Sequence, residues 1–306
     1  MIEKVTEGRW LLPIAVLYAV AVWLISGLIQ NTLYVQFAFF AVTAYLMVEM
    51  NNRNALIRIY SSLVAVTFII ISGTLTYTFT DITNTMVALC SVASILCLFN
   101  SYQDGSTGGW TYYGFLFVGI SSLFNLHVVF FVPVLWILMA TSLYSMSLRT
   151  FVASLLGLIT PYWFGAVWVL YCRDYHIVLN HFSTLLQYCP IADPTYMTTP
   201  RWLSISLLTF MGGVGAIHYL FNRYEDKIRN RMLYDFLIVE ATACLAFIIL
   251  QPIHFDCLIW VMAVTVSPLI AHCIAFVKEN RLTMAFLLVA CIITLTITIC
   301  NIVWTY

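Results

Sequence analysis

Charge is what this sequence has least of. Only 8% of its 306 residues are Asp, Glu, Lys or Arg, and the two signs balance at 13 acidic and 13 basic residues. A soluble fold of this length needs a polar shell, which so few charges cannot supply. The missing positive excess also removes any reason to expect nucleic acid as a partner. Catalytic motifs are lacking too: the chain has no Walker loop, Rossmann glycine fingerprint, HExxH helix or G-x-S-x-G elbow, which argues against ATP-driven action by this chain alone. Its nine cysteines show no CxxC or zinc-ligand spacing, so no metal and no cofactor is expected. No small-residue cleavage site follows the first apolar run, and a second run comes at once, so the opening helix is expected to be retained. Internal repeats and low-complexity tracts are absent.

Apolar runs fill the chain instead. Hydrophobic residues make up 62% of it, with a mean hydropathy of +0.96. A helix needs about 20 apolar residues to cross a bilayer, and it satisfies its own backbone while doing so. By that measure the sequence predicts an all-α polytopic membrane protein, residues 1–306 forming one integral membrane domain. The expected spans lie near 10–28, 32–50, 58–77, 84–99, 111–125, 127–146, 149–171, 202–221, 232–250, 252–277 and 282–303. Eleven is the preferred count, with ten or twelve open, because 84–99 is short and 111–146 could be a re-entrant hairpin.

Basic residues favour the cytoplasmic side of a membrane protein. An inside N terminus places Lys4, Arg9, Arg53, Arg58, Arg149, Arg223, Lys227, Arg229, Arg231, Lys278 and Arg281 in the cytoplasm. Only Arg173 and Arg201 then fall outside, and the C terminus ends outside. The expected location is a bacterial inner membrane. The longest outer loop, 172–201, carries Ile177, Val178, Leu179, Phe182, Leu185 and Leu186 at helical spacing, which predicts an amphipathic helix along the interface. Cys172 and Cys189 bound this loop, as two thiols or as a disulfide in an oxidising compartment. The other seven cysteines fall inside spans and act as small apolar residues.

Ionisable residues gather on the outer side of this topology: Asp81, His127, Arg173, Asp174, His176, His181, Asp193, Arg201, His254 and Asp256. Asp81, Asp193, His254 and Asp256 are candidates for acid or base catalysis, and Arg173 and Arg201 for binding a phosphate or sugar. The competing reading makes them ordinary boundary residues in contact with headgroups and water. Glu240 differs, because it lies eight residues into a span beginning near 232, about 12 Å along the helix axis. A carboxylate near the bilayer centre marks a site for an ion, proton or substrate, or a structural hydrogen bond to a facing helix. Asp235 lies nearer the inner mouth, four residues from Arg231. His218 and His272 fall near the cytoplasmic ends of their spans and could face each other. Gly212 and Ala216 form a small-residue face for close helix packing.

The stretches "NNRNALIRIY", "CLFNSYQDG", the run from Gly114 to Phe164 and "FNRYEDKIRNRMLYDFLIVEA" resemble an uncharacterised family of multi-spanning inner-membrane proteins from Bacteroidota. Residues 114–146 also look like the glycine-led hairpin of membrane glycosyltransferases that use polyprenyl-linked sugars. Those enzymes place an acid in a long first outer loop. Here that loop is only "IQN", so Asp81 or Asp193 would have to stand in.

Three functions remain open on the sequence. The leading one is a glycosyltransferase-like protein handling a lipid-linked saccharide or lipid at its outer face. A secondary transporter or permease for a small molecule is the second, resting on Glu240 and on the proline-interrupted spans at Pro161 and Pro268. The third is a noncatalytic assembly or scaffold subunit with a membrane-protein partner. All three imply contact with membrane lipids.

Overall fold

A computed structural model describes residues 10–58, 61–172, 176–186, 190, 194–277 and 280–305. Every regular element among them is helical. In chain order the α-helices are α1 Leu11–Ile25, α2 Tyr34–Asn54, α3 Leu63–Ser72, α4 Ile82–Phe99, α5 Gly108–Phe124, α6 Val132–Thr141, α7 Leu148–Cys172, α8 His176–Ser183, α9 Thr199–Asn222, α10 Ile228–Leu250, α11 Phe255–Phe276 and α12 Arg281–Thr305. Short 3-10 segments extend α3 (Gly73–Thr78) and precede α6 (Leu126–Phe131) and α11 (Pro252–His254).

Helices occupy all eleven expected intervals, and α8 lies in the stretch expected to be amphipathic. Six are long and apolar enough to cross a membrane: those containing α4, α7, α9, α10, α11 and α12. Leu11–Ile25, Leu63–Thr78 and Leu126–Thr141 are apolar but shorter. The protein is therefore an all-α, multi-pass membrane protein. Arg173, Asp174 and Asp193 lie outside the described residues, as do Cys189 and the Cys172 side chain with the disulfide question they raise.

Local chemistry sets several boundaries. Asp81 has an extended backbone, and its carboxylate accepts the Thr83 N–H at 2.9 Å, capping α4. Pro252 opens the 3-10 turn into α11 at a position where a missing N–H costs nothing. Gln251 closes α10 one residue earlier, so the α10–α11 turn is as tight as the sequence implies.

At the centre stands α11. It is apolar on every face, and a helix of that kind is stable only when enclosed. Neighbours α3, α4, α9 and α10 pack around it, leaving Ile259, Trp260, Ala263, Val264 and Ala271 with no exposure. Glycine lets α9 come close. A Cβ on Gly212 would lie 2.9 Å from Val266, and one on Gly215 would lie 2.8 Å from the Leu269 carbonyl oxygen. The small-residue face on α9 is thus real, with Gly215 its tightest point. A second close pair joins α5 and α7, where a Cβ on Gly119 would lie 2.8 Å from the Leu158 carbonyl oxygen. Stacked rings fill one side of the core: Trp23 on Phe79 at 3.9 Å and Phe40 on Phe68 at 5.9 Å. Outward-facing Trp163, Phe164, Trp168, Leu288 and Ile292 form the apolar surface that lipid covers.

The basic residues meet at one end of the bundle. Arg58 contacts Asp226, Arg229 donates to Asn54 Oδ1 at 2.9 Å, and the same Arg229 lies over the Tyr102 ring. These contacts bring the α2–α3, α4–α5 and α9–α10 connections together.

Candidate functional site

Among the described residues, three ensembles of ionisable side chains interrupt the apolar bundle. The first lies where α9 and α11 begin. Arg201, in the first turn of α9, donates through Nε to Asp256 Oδ1 at 3.0 Å and through a second guanidinium nitrogen to Oδ2. Such fork-on-fork pairing is the geometry in which arginine binds carboxylate most strongly. Arg201 also donates to the Tyr196 carbonyl oxygen and lies over the Phe255 ring at 5.7 Å. Its donors are directed inward to the protein's own groups, and Asp256 is occupied by it. Close by, His254 stacks on His127 with ring centroids 3.5 Å apart, and neither buried Nε2 has a hydrogen-bond partner among the described residues. The two imidazoles border a cavity of about 260 Å³ that Phe130, Phe247, Leu250, Gln251 and Leu258 complete.

The second ensemble occupies the opposite end. Asp226, between α9 and α10, is buried, and its two oxygens take different partners: Arg58 Nε at 3.0 Å and His272 Nε2 at 3.1 Å. A carboxylate only accepts, so the His272 proton sits on Nε2. Burial pushes the Asp226 carboxyl up, but the His272 hydrogen bond and the Arg58 guanidinium outweigh it and hold the group below the usual carboxylate range. Around it, Tyr219 donates to the Arg231 carbonyl oxygen at 3.0 Å, and Asn230 donates to the Ala55 carbonyl oxygen at 2.6 Å. His218 and His272 do approach each other, with ring centroids 6.0 Å apart. Asp235 pairs with Arg223 at 3.2 Å rather than with Arg231, whose guanidinium caps the Asp226 and Tyr224 carbonyls.

Glu240 is the third ensemble, alone. It sits within α10, 5% exposed, and its Oε2 is buried with no hydrogen-bond partner among the described residues. Cys244, one turn on, donates its thiol to the Leu258 carbonyl oxygen of α11 at 3.0 Å. Positions 240, 244, 247 and 251 share one face of a helix, so Glu240 lies two turns below the part of α10 that lines the His127–His254 cavity. An isolated carboxylate in such surroundings is stable only when protonated or when a cation meets it.

Of the candidates, Arg201 and Asp256 come together, His254 stacks on His127, and Asp81 spends an oxygen on capping α4. Sequence reasoning counted Arg58 among the topological charges and did not single out Asp226. They are 168 positions apart, and no pattern in one chain links residues across that distance.

The fold and these ensembles define a polytopic helical membrane protein with ionisable groups enclosed in its bundle. No family model matches the chain, and no curated protein or solved structure is significantly similar to it. Neither the Bacteroidota resemblance nor the glycosyltransferase resemblance gains support from these comparisons. The leading expectation, a glycosyltransferase-like protein acting on a lipid-linked saccharide, is overturned by the architecture: among the described residues there is no strand from which a glycosyltransferase sheet could be built. A helical bundle of this kind fits a transporter or permease better.

Proposed function

We propose that this chain is a secondary transporter or permease of a bacterial inner membrane. It crosses about eleven times, with its N terminus in the cytoplasm, its C terminus outside and α8 lying along the outer interface. Glu240 carries the reading. A buried carboxylate without a partner costs stability, and a purely structural helix contact would give it a donor. A carrier needs the opposite, a group that binds a proton or a cationic solute and then releases it. The cavity beside His127 and His254 lies on the same face of α10, so a solute entering there travels two turns to reach Glu240. Pro161 and Pro268 lie inside α7 and α11, and each leaves a backbone carbonyl without its helical N–H partner. The gathering of basic residues at the α9–α10 connection supports the cytoplasmic assignment of that end.

Uptake in proteoliposomes under an imposed proton gradient tests the reading, using a panel of radiolabelled amino acids, monosaccharides and small carboxylic acids. Gradient-driven accumulation of a panel member, falling in Glu240→Gln to the level of empty vesicles, is the expected result. Uptake that Glu240→Gln leaves unchanged contradicts the role given to this residue.

A further inference from the structure

An apolar space and unpartnered polar atoms coincide in the cavity beside His127 and His254. Two short turns deliver these residues. The Asn125 side chain accepts the His127 N–H at 3.1 Å, which turns the chain out of α5 into the 3-10 segment Leu126–Phe131. The His254 N–H is accepted by the Gln251 carbonyl oxygen at 3.3 Å in the segment that opens α11. His127 is 9% exposed, and its Nε2 and that of His254 are buried without partners among the described residues. Both residues border the cavity.

The charge state of the pair follows from its geometry. Two rings stacked 3.5 Å apart cannot both carry a charge. Among the described residues the lining holds no acid to balance even one, and Asp256 is occupied by Arg201. Each ring is therefore a neutral imidazole, with one N–H and one lone pair. The Thr184 backbone carbonyl lies within hydrogen-bonding reach of the His127 ring. Because Nε2 has no partner, that contact falls to Nδ1. A carbonyl only accepts, so the His127 proton sits on Nδ1 and Nε2 keeps its lone pair.

These features select among guests. An anion finds no counter-charge in the lining. A sugar brings more hydroxyls than the three polar side chains, His127, His254 and Gln251, can satisfy. A metal ion needs lone pairs that converge at about 2 Å, whereas rings stacked with 28° between their planes direct theirs side by side. An ammonium group meets what is there. It donates to a lone pair, and aromatic faces attract it; Phe130 lies 6.0 Å from His127 and stacks on Phe247 at 6.2 Å. Size sets the body that carries it. An apolar cavity of about 150 Å³ holds a benzene ring, so about 260 Å³ takes one ring and a short aminoalkyl arm.

We propose that this cavity binds a primary arylalkylamine in its charged form, the ammonium donating to His127 Nε2 beside Phe130 and the aryl ring lying against Phe247. This deepens the transporter reading by naming a class of solute, and it rests on that reading for the onward step, in which Glu240 receives the ammonium two turns along the same face of α10.

Binding is tested apart from transport, by thermal unfolding of the purified full chain at pH 7 with phenethylamine, 2-phenylethanol or phenylacetate at equal ionic strength. The three probes share a ring and differ in charge, the amine being protonated at this pH as lysine is. A ligand that binds only the folded state raises the midpoint with concentration. The expected result is a saturable rise with phenethylamine, at a half-effect concentration about tenfold below that of the alcohol, and no rise with phenylacetate. His127→Phe keeps a ring in the stack without its acceptor, and there the half-effect concentration of phenethylamine rises about tenfold, the loss of one charge-assisted hydrogen bond. Phe247→Leu raises it about threefold, the loss of an aromatic face. Equal responses to the amine and the alcohol in the folded wild type overturn the site, as does the lack of a saturable rise with the amine; neither comparison needs a variant. A response that folded His127→Phe leaves unchanged overturns it too. A saturable rise without uptake of labelled phenethylamine by proteoliposomes leaves the site standing and removes the onward step. Gradient-driven uptake of another solute by a chain that phenethylamine does not stabilise overturns the site and leaves the transporter reading.

Discussion

At the scale of single residues, two buried carboxylates are treated in opposite ways. Asp226 has an arginine and a histidine; Glu240 has neither. Asp226 is built for stability, and its contribution depends on pH in a definite direction. Its pKa is lower in the folded chain than its ordinary value of 3.8, so between those two values the unfolded state binds more protons. The stabilisation is complete above the ordinary value and is lost as pH falls through the folded one. Thermal unfolding in a pH series should show that loss in the wild type and a flatter acid limb in Asp226→Asn. At about pH 7 this variant should be about 1–3 kcal/mol less stable, because the buried carboxylate's charge-assisted hydrogen bonds to Arg58 and His272 are lost or weakened. Equal midpoints at neutral pH would dismiss the latch. Glu240 was legible in the sequence, since a carboxylate eight residues into an apolar run is anomalous wherever its helix packs. Asp226 was not, because it sits in "RYEDKIRNR", where charges are expected at a membrane surface.

Helices were the most legible elements, since runs of apolar residues set their positions and a span must satisfy its backbone internally. Closeness between helices was less so. Of the glycines in α7, Gly157 is enclosed, and a Cβ there would overlap the Tyr112 carbonyl of α5; Gly165 has nothing within 4 Å. Nothing in the local sequence separates the two. Gly157→Ala should therefore lower the midpoint of thermal unfolding, by an amount corresponding to about 1–3 kcal/mol for overpacking. Gly165→Ala should leave it unchanged or raise it slightly, as alanine favours a helix over glycine. Similar effects at both positions would refute the close α5–α7 contact. The 3-10 extension of α3 escaped the sequence altogether. Its threonines fall inside an apolar run, and hydrophobic periodicity over six residues does not separate a 3-10 turn from an α-helical one.

On the scale of the whole molecule, the central position of α11 organises everything else. Its flanks carry all three polar ensembles: the Arg201–Asp256 pair and the stacked histidines where it begins, the Asp226–His272 latch where it ends, and Cys244 bonded to it one turn from Glu240. On the proposed transporter reading, rocking of neighbours against this helix would open the cavity beside His254 at one end and release the Arg58–Asp226–His272 latch at the other, giving a central site access to each side in turn. The sequence marked the outer residues as a shared site for a saccharide. Among the described ones, Arg201 pairs with Asp256 and the Tyr196 carbonyl, and Asp81 with the Thr83 N–H, and charged groups that already satisfy each other have little left for a ligand. Among the described residues, the buried carboxylate that the bundle leaves without a partner is Glu240.

Access to that position is the most direct measure of the account. With the nine native cysteines replaced by alanine and Glu240 by cysteine, a membrane-impermeant thiol reagent is applied from each side of oriented vesicles holding the folded chain. The account predicts modification from both sides. A folded chain modified from neither side would contradict it.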